Sequence, residues 1–201
     1  MPPSRGRRTR PVGTRDPRPR VLVVCEGQKT EPSYFKAFPM TSATVHVVGL
    51  GANTLSVVDH TVRERDAAAA NSNPFEHVWC VVDRDSFPKA HVNEAVERCG
   101  RESIGAAWSN EAFELWYLLH FAYCDAATSR DTYAARLGKF LERPYKKNLP
   151  DIYEQLHRRM DTALRNAANL AAFQAGKPPA DANPMTTVHE LVELLRKHSR
   201  R

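Results

Sequence analysis

The stretch Arg20-Val-Leu-Val-Val-Cys-Glu-Gly27, together with His77-Val-Trp-Cys-Val-Val-Asp-Arg-Asp85 downstream, decides the fold. Each stretch begins with a short apolar run, which is typical of a strand buried on both faces of a parallel sheet. The first run ends at Glu26, and the second ends at Asp83 and Asp85. Because open parallel sheets bind ligands at the carboxyl ends of their strands, the pattern predicts an α/β protein with a functional site at that edge.

Strand patterns alternate with helical patterns through the first 120 residues or so. Such alternation predicts a mostly parallel sheet with helices on both faces. Thr30 and Thr54 are expected to cap the first two helices, and Ser109 or Asn110 the fourth, because their side chains can accept from free backbone N–H groups. The predicted strands are 20–25, 44–48, 77–82 and 103–108, and the predicted helices are 31 onward, 55–70, 88–101 and 111–121.

The second half of the chain has a different pattern. After residue 123 we find only helical periodicity, at about 128–142, 150–174 and 186–198. The sequence therefore predicts three parts. They are a disordered basic arm at 1–19, an α/β domain at 20–122 and a helical carboxyl-terminal extension, packed on that domain, at 123–201.

Charge is concentrated at the amino terminus. The formal net charge is +6, and residues 1–20 hold seven arginines and one acid, so the rest of the chain is formally neutral. The arm is either a contact for a polyanion or a solvated tail.

The four cysteines lack CxxC spacing, which argues against a zinc site and favours a reducing, cytoplasmic location. Neither a membrane span nor a secretory signal is expected.

The acidic residues at the strand ends suggest a metal site. If the first and third strands are neighbours, Glu26, Asp83 and Asp85 converge at one rim. Two carboxylates about 4 Å apart repel by about 4 kcal/mol at an effective dielectric near 20. A Mg²⁺ or Mn²⁺ ion removes that repulsion and can activate water toward a phosphate. Alternatively, Glu26 is a solvated loop acid, and Asp83 and Asp85 cap the following helix.

Basic residues near this rim are candidates for contact with nucleic acid. Lys29 follows Glu26 by three residues and is placed to stabilise charge on a phosphate. Arg84 lies between the two aspartates, and Lys146 and Lys147 form a pair in the second half. For these lysines, an ordinary solvated surface role is the alternative.

Two further candidates follow the fourth predicted strand. Glu111 and Glu114 have i,i+3 spacing and are expected to share a helix face. Glu114 is interpreted as a further catalytic acid that binds or orients the metal, or else as an acid that stabilises a helix start. His120 is either a proton carrier or a core histidine.

Several separated motifs resemble known families. The segments Val23-Val-Cys-Glu-Gly-Gln-Lys-Thr-Glu-Pro32 and Val81-Val-Asp-Arg-Asp85 resemble the topoisomerase–primase (TOPRIM) signature. More narrowly, the chain resembles the RloB family from about Arg20 to its carboxyl terminus. The additional motifs are Tyr34-Phe35, Ser109-Asn-Glu-Ala-Phe-Glu-Leu-Trp116, His120-Phe121 and Asn183-Pro-Met-Thr-Thr-Val-His189. Glu111-Ala112 departs from the Pro-Cys expected there, which leaves the role of Glu111 open.

The resemblance implies a TOPRIM-type sheet with a Mg²⁺- or Mn²⁺-dependent nuclease centre. Its metal ligands would be Glu26, Asp83 and Asp85, with Glu114 and Lys29 as further catalytic residues. It also implies a role in bacterial anti-phage defence by abortive infection, beside an ATPase partner. The chain has no Walker-type loop, so we do not expect it to hydrolyse ATP itself.

Two other functions compete with the nuclease. A non-catalytic subunit that binds nucleic acid or an ATPase is compatible with the neutral body and the helical second half. A haloacid-dehalogenase-like phosphatase would use Asp83 as nucleophile and Asp85 as general acid. In that family, however, the Asp-x-Asp motif usually follows the first strand, whereas here it follows the third.

Overall fold

A computed structural model describes residues 18–84 and 88–200 of the chain. Asp85 lies outside these residues, and so does the predicted basic arm apart from its last two positions.

The protein is built on one five-stranded sheet. Its strand order is β2-β1-β3-β4-β5, with the first four strands parallel and β5 antiparallel to β4. The predicted fold class is confirmed, and β1 and β3 are neighbours as the metal-site prediction requires. The strands are β1 (Arg20–Cys25), β2 (Thr44–Gly49), β3 (His77–Asp83), β4 (Gly105–Asn110) and β5 (Met185–Thr186).

Helices connect the strands and make up most of the second half. The helix predicted at 150–174 is interrupted by a 3₁₀ turn, His157–Arg159. The α-helices are α1 (Thr30–Lys36), α2 (Thr54–Ala70), α3 (Lys89–Arg101), α4 (Glu114–Leu119), α5 (Arg130–Phe140), α6 (Ile152–Leu156), α7 (Met160–Phe173) and α8 (Val188–Lys197).

The predicted threonine caps are wrong. Thr30 is already inside α1, and its hydroxyl donates to the Asn148 side chain at 2.8 Å. At α2, Asn53 is the cap, since its side-chain oxygen accepts from the Ser56 N–H at 3.0 Å. The Thr54 hydroxyl is thereby left to point at Glu26, with its oxygen 3.3 Å from the nearer carboxylate oxygen.

The start of α4 also differs from the prediction. β4 continues through Ser109 and Asn110, because these residues pair with β5, a strand of two residues that is too short to show a sequence period. Neither residue caps a helix. Glu111 therefore precedes α4, and the expectation that Glu111 and Glu114 share a helix face is wrong.

The buried core is continuous from the sheet into the second half. β1 is buried from Val21 to Cys25, and every residue of α4 is buried. Leu191 and Leu195 of α8 belong to the same apolar cluster. The core thus fixes both β1, which Glu26 follows, and α4, which begins at Glu114. Within the described ranges, no helix is both long and apolar enough to cross a membrane.

Candidate functional site

Glu26 is held at the carboxyl end of β1 by contacts from two elements, β3 and α2. Its backbone N–H donates to the Val81 carbonyl at 2.9 Å, which continues the β1–β3 pairing by one residue. Its carboxylate accepts the backbone N–H of Asp83 at 3.1 Å and the hydroxyl of Thr54 at 3.3 Å. The side chain is therefore directed to the end of β3 rather than into open solvent.

Asp83 lies beside it at the end of β3. One carboxylate oxygen, Oδ2, accepts the backbone N–H of Phe113 at 3.1 Å. The other, Oδ1, is buried and has no hydrogen-bond partner in the described part of the chain. Burial raises the pKa of Asp83 well above its ordinary value, and the charges of Glu31 and Glu114 raise it further. A buried carboxylate oxygen without a partner is costly unless a proton or a cation reaches it.

Two buried glutamates complete the acidic cluster. Glu31 of α1 is 9% exposed and Glu114 of α4 is 6% exposed. Burial raises the pKa of Glu31, the charge of Glu114 adds to this, and Lys147 opposes it. The hydroxyl of Tyr145 donates to Glu114 Oε1 at 3.2 Å.

Glu31 was not among the predicted site residues, although it follows Glu26 closely in the sequence. Its carboxylate fills the space where a Cβ at Gly27 would lie, so glycine is required there while Glu31 keeps this position. The acid-glycine pair was therefore a sequence signal for Glu31 as well as for Glu26. This signal could not be recognised from the sequence alone, because it depends on the path of α1.

The chemistry of this cluster fits a hard divalent cation. Its donors are carboxylate oxygens, which Mg²⁺ and Mn²⁺ prefer, and one of them is buried without a partner. As the side chains stand, no three His, Cys, Asp or Glu residues among 18–84 and 88–200 form a group that could hold a metal ion. A complete ligand set therefore needs Asp85, which lies outside these ranges, or a movement of the glutamate side chains.

Two clefts meet beside the acidic cluster. The larger, about 500 Å³, is lined by Gly27, Lys29, Glu31 and Lys147 among others. The smaller, about 120 Å³, is lined by residues that include Glu114, Tyr145 and, again, Lys147. Lys147 is thus the cation common to both clefts, and Lys29 lines the larger one.

Comparison with known proteins agrees with the motifs. The sequence model of the RloB-like protein family matches residues 21–195. The chain belongs to the RloB-like family. The matched region contains all four carboxylates of the cluster as well as Lys147. No curated protein and no solved structure matches the chain.

In this RloB-like chain, a strap formed by residues 143–151 holds Lys147 beside the carboxylates. At the two ends of the strap, the guanidinium of Arg143 donates to both carboxylate oxygens of Asp151, at 2.7 and 2.6 Å. Asn148 is tied to Thr30 of α1, and Tyr145 is tied to Glu114 of α4. Because Glu114 is itself a cluster residue and Thr30 directly precedes Glu31, the strap couples the position of Lys147 to that of the acids.

The other predicted basic residues lie differently. Lys146 is exposed, and it is not among the residues that line either cleft. The backbone N–H of Arg84 donates to the Ser109 carbonyl at 2.8 Å, which extends the β3–β4 pairing. Of the predicted nucleic-acid contacts, the fold therefore brings Lys29 and Lys147 to the clefts.

Glu111 and His120 are engaged elsewhere. Glu111 accepts the backbone N–H of Arg130, the first residue of α5, at 3.3 Å. This contact gives the residue that departs from the family pattern a role at the start of α5. His120 is 1% exposed, its Nδ1 contacts the Trp116 carbonyl at 2.9 Å, and burial lowers its pKa to about 4. It is thus a neutral histidine packed on Trp116.

Proposed function

We propose that this RloB-like chain is a Mg²⁺- or Mn²⁺-dependent nuclease that hydrolyses phosphodiester bonds in DNA or RNA. The observation that carries the proposal is the meeting of Glu26, Glu31, Asp83 and Glu114 at the carboxyl edge of the sheet, where Asp83 keeps a buried oxygen without a partner. A site of this kind suits a divalent cation and a phosphate better than it suits an uncharged ligand.

The proposed ligands are Glu26, Asp83 and Asp85, with Glu114 beside them as a further ligand or an orienting acid. When bound, a divalent ion supplies an activated water and neutralises charge on the phosphate. The described residues hold the carboxylates in place. Thr54 donates to Glu26, and the Phe113 N–H donates to Asp83. Such contacts to ligands fix their orientation before any substrate arrives.

Lys29 and Lys147 are proposed to bind the phosphates on either side of the reacting bond. Both line the larger cleft, next to Glu31. A lysine is a compact point charge with three donors, suited to phosphate oxygens. Lys146, Arg84 and the arginines of the amino-terminal arm are proposed as outer contacts that add attraction for the polyanion without specificity.

The TOPRIM assignment is part of the proposal. It is supported by the adjacency of β1 and β3 and by the acid-glycine pair that follows β1. A role in anti-phage defence with an ATPase partner is proposed on the family resemblance.

The competing proposal is a non-catalytic subunit that binds nucleic acid or an ATPase. It is supported by the finding that, among the described residues, no three His, Cys, Asp or Glu side chains form a group that could hold a metal ion. The two proposals differ in one respect: a scaffold does not need divalent ions for its function, whereas the nuclease does.

Cleavage assays separate them. The purified chain is incubated with Mg²⁺ or Mn²⁺ and with single- and double-stranded DNA and RNA. We expect cleavage of at least one substrate, and its loss in Glu26→Gln and Asp83→Asn. The matched controls are Glu94→Gln and Asp125→Asn, which alter exposed acids of the same types and should cleave like the wild type. Cleavage that persists in both site variants would remove the basis of the proposal.

A further inference from the structure

An aromatic pair lies beyond the end of α4 opposite to Glu114 of the acidic cluster. Phe121, just after α4, and Phe140, the last residue of α5, stack with ring centroids 5.0 Å apart and planes 4° from parallel. The guanidinium of Arg159, in the 3₁₀ turn, lies 5.2 Å from the centroid of Phe121. Three separate segments thus build one surface feature, here named the aromatic platform (Phe121, Phe140 and Arg159).

Core packing explains only part of the platform. Phe121 packs against the apolar core, whereas Phe140 is not part of it and is 42% exposed. Tyr123, two residues after Phe121, is 40% exposed. Single exposed apolar residues are common on proteins. An exposed ring that is stacked on a second ring and accompanied by an arginine is a more specific arrangement.

The surroundings of the platform favour an anionic partner. Arg158 and Arg159 are adjacent and exposed, and the exposed Lys139 directly precedes Phe140. The exposed acids Glu142 and Glu154 lie two residues after Phe140 and four residues before Arg158, so three basic residues stand beside two acids here. Two further acids in nearby segments are matched by arginines of their own. Asp151 is paired with Arg143 at 2.6 Å, and Asp161 with Arg196 at 2.8 Å. Within residues 18–84 and 88–200, neither Arg158 nor Arg159 forms a salt bridge. Rings beside such arginines form the combination that binds bases and phosphates together.

We propose that the platform is a base-stacking subsite for single-stranded nucleic acid, with Phe140 as the contact ring. The inference rests on the proposed function, since it assigns a part of that enzyme's substrate to a second surface. Bases in a duplex are already stacked on each other, so an exposed ring of this kind selects an unpaired base. α4 is six residues long, or about 9 Å at the helical rise; it begins at Glu114, and Phe121 lies two residues beyond its end. One strand can therefore reach both the platform and the carboxylates.

The test measures binding without cleavage. Fluorescent oligo(dT), oligo(U) and a DNA duplex of equal length are titrated with the full chain in a chelator at fixed ionic strength, and anisotropy is recorded. The variants are Phe140→Ala, Phe140→Leu, which keeps the apolar bulk, and Phe140→Trp, which keeps a stacking ring. Phe173→Ala, at another exposed phenylalanine, and Arg101→Ala, on α3, are the matched controls.

We expect Phe140→Ala and Phe140→Leu to weaken single-strand binding roughly 5- to 100-fold, the range of one lost stacking contact. Phe140→Trp and both controls should bind like the wild type, and duplex binding should change little in any variant. Arg159→Ala should weaken binding and also reduce its salt dependence. Comparing oligo(dT) with oligo(U) shows whether the surface binds single-stranded DNA, single-stranded RNA or both.

Different results would overturn the base-stacking platform and the proposed nuclease activity. If the wild type binds single strands and Phe140→Ala binds equally well, the platform is overturned, whatever cleavage shows. Binding of the duplex alone, or of no nucleic acid, also overturns it and favours a protein partner for this surface. If Phe140→Ala weakens binding while no metal supports cleavage, the platform stands and the nuclease proposal fails.

Discussion

The carboxylate of Glu26 accepts the backbone N–H of Asp83 at 3.1 Å. This contact joins the ends of two neighbouring strands, β1 and β3, that are far apart in the sequence. It fixes the Glu26 side chain next to the Asp83 carboxylate instead of away from it, although the two charges repel. Two carboxylates held together in this way repel each other unless a proton or a cation lies between them.

Removing the hydroxyl of Tyr145 should impair the site without unfolding the protein. Burial and the charge of Glu114 raise the pKa of Tyr145, so its hydroxyl stays protonated and donates to that carboxylate. We expect Tyr145→Phe to lower metal affinity or the cleavage rate about 10-fold, the effect of losing an orienting contact. Thermal unfolding of the same samples should shift little. Tyr123→Phe, at an exposed tyrosine, is the control, and equal losses in both variants would contradict the role of Tyr145.

A methyl group at Gly27 should displace Glu31 specifically. An added Cβ would overlap the Glu31 carboxylate, which can swing aside because it is the end of a flexible side chain. Gly27→Ala should therefore reduce cleavage about 10-fold while changing the free energy of unfolding by less than about 1 kcal/mol. In the control, Gly100→Ala, the added Cβ meets nothing within 4 Å. Unchanged cleavage in Gly27→Ala would show that Glu31 has no part in the site.

The raised pKa of Asp83 predicts how stability depends on pH in the metal-free protein. Because the folded state favours the protonated acid, Asp83 does not destabilise the protein below its ordinary pKa of 3.8. The free energy of unfolding then falls as the pH rises from 3.8 through the pKa of the folded state. Each unit of the shift corresponds to about 1.4 kcal/mol. Asp83→Asn should remove this loss and be at least as stable as the wild type at pH 7 in a chelator. Thermal unfolding between pH 4 and pH 8 measures it, and a variant destabilised across the whole range would contradict the prediction.

His120 should affect acid stability and not cleavage. The fold lowers the pKa of His120 from an ordinary 6.5 to about 4. Its contribution to the free energy of unfolding is therefore complete above pH 6.5 and is lost as the pH falls toward 4. We expect His120→Asn, which keeps a donor for the Trp116 carbonyl, to retain the wild-type cleavage rate at pH 7. Its unfolding free energy should vary less between pH 6.5 and pH 4 than that of the wild type. A large fall in the rate with an unchanged melting temperature would instead make His120 a proton carrier.

The ends of β1 and β3 were predictable, because short apolar runs followed by acids specify buried strands and their functional edge. Glu26 and Asp83 could therefore be named from the sequence. The contribution of Tyr145 could not, since it depends on how the strap of residues 143–151 folds back on α4. The start of α4 at Glu114 could not be predicted from the sequence either, because it depends on the pairing of β4 with residues about 75 positions downstream.

We propose that the carboxylates at the ends of β1 and β3 bind one divalent cation. Calorimetric titration of the full chain with Mn²⁺ and with Mg²⁺ tests this directly, with Glu26→Gln and Asp83→Asn beside the wild type and Glu94→Gln as control. The prediction is binding to the wild type and the control, with at least about 10-fold weaker binding to both site variants. Equal affinity in all four proteins would contradict the claim.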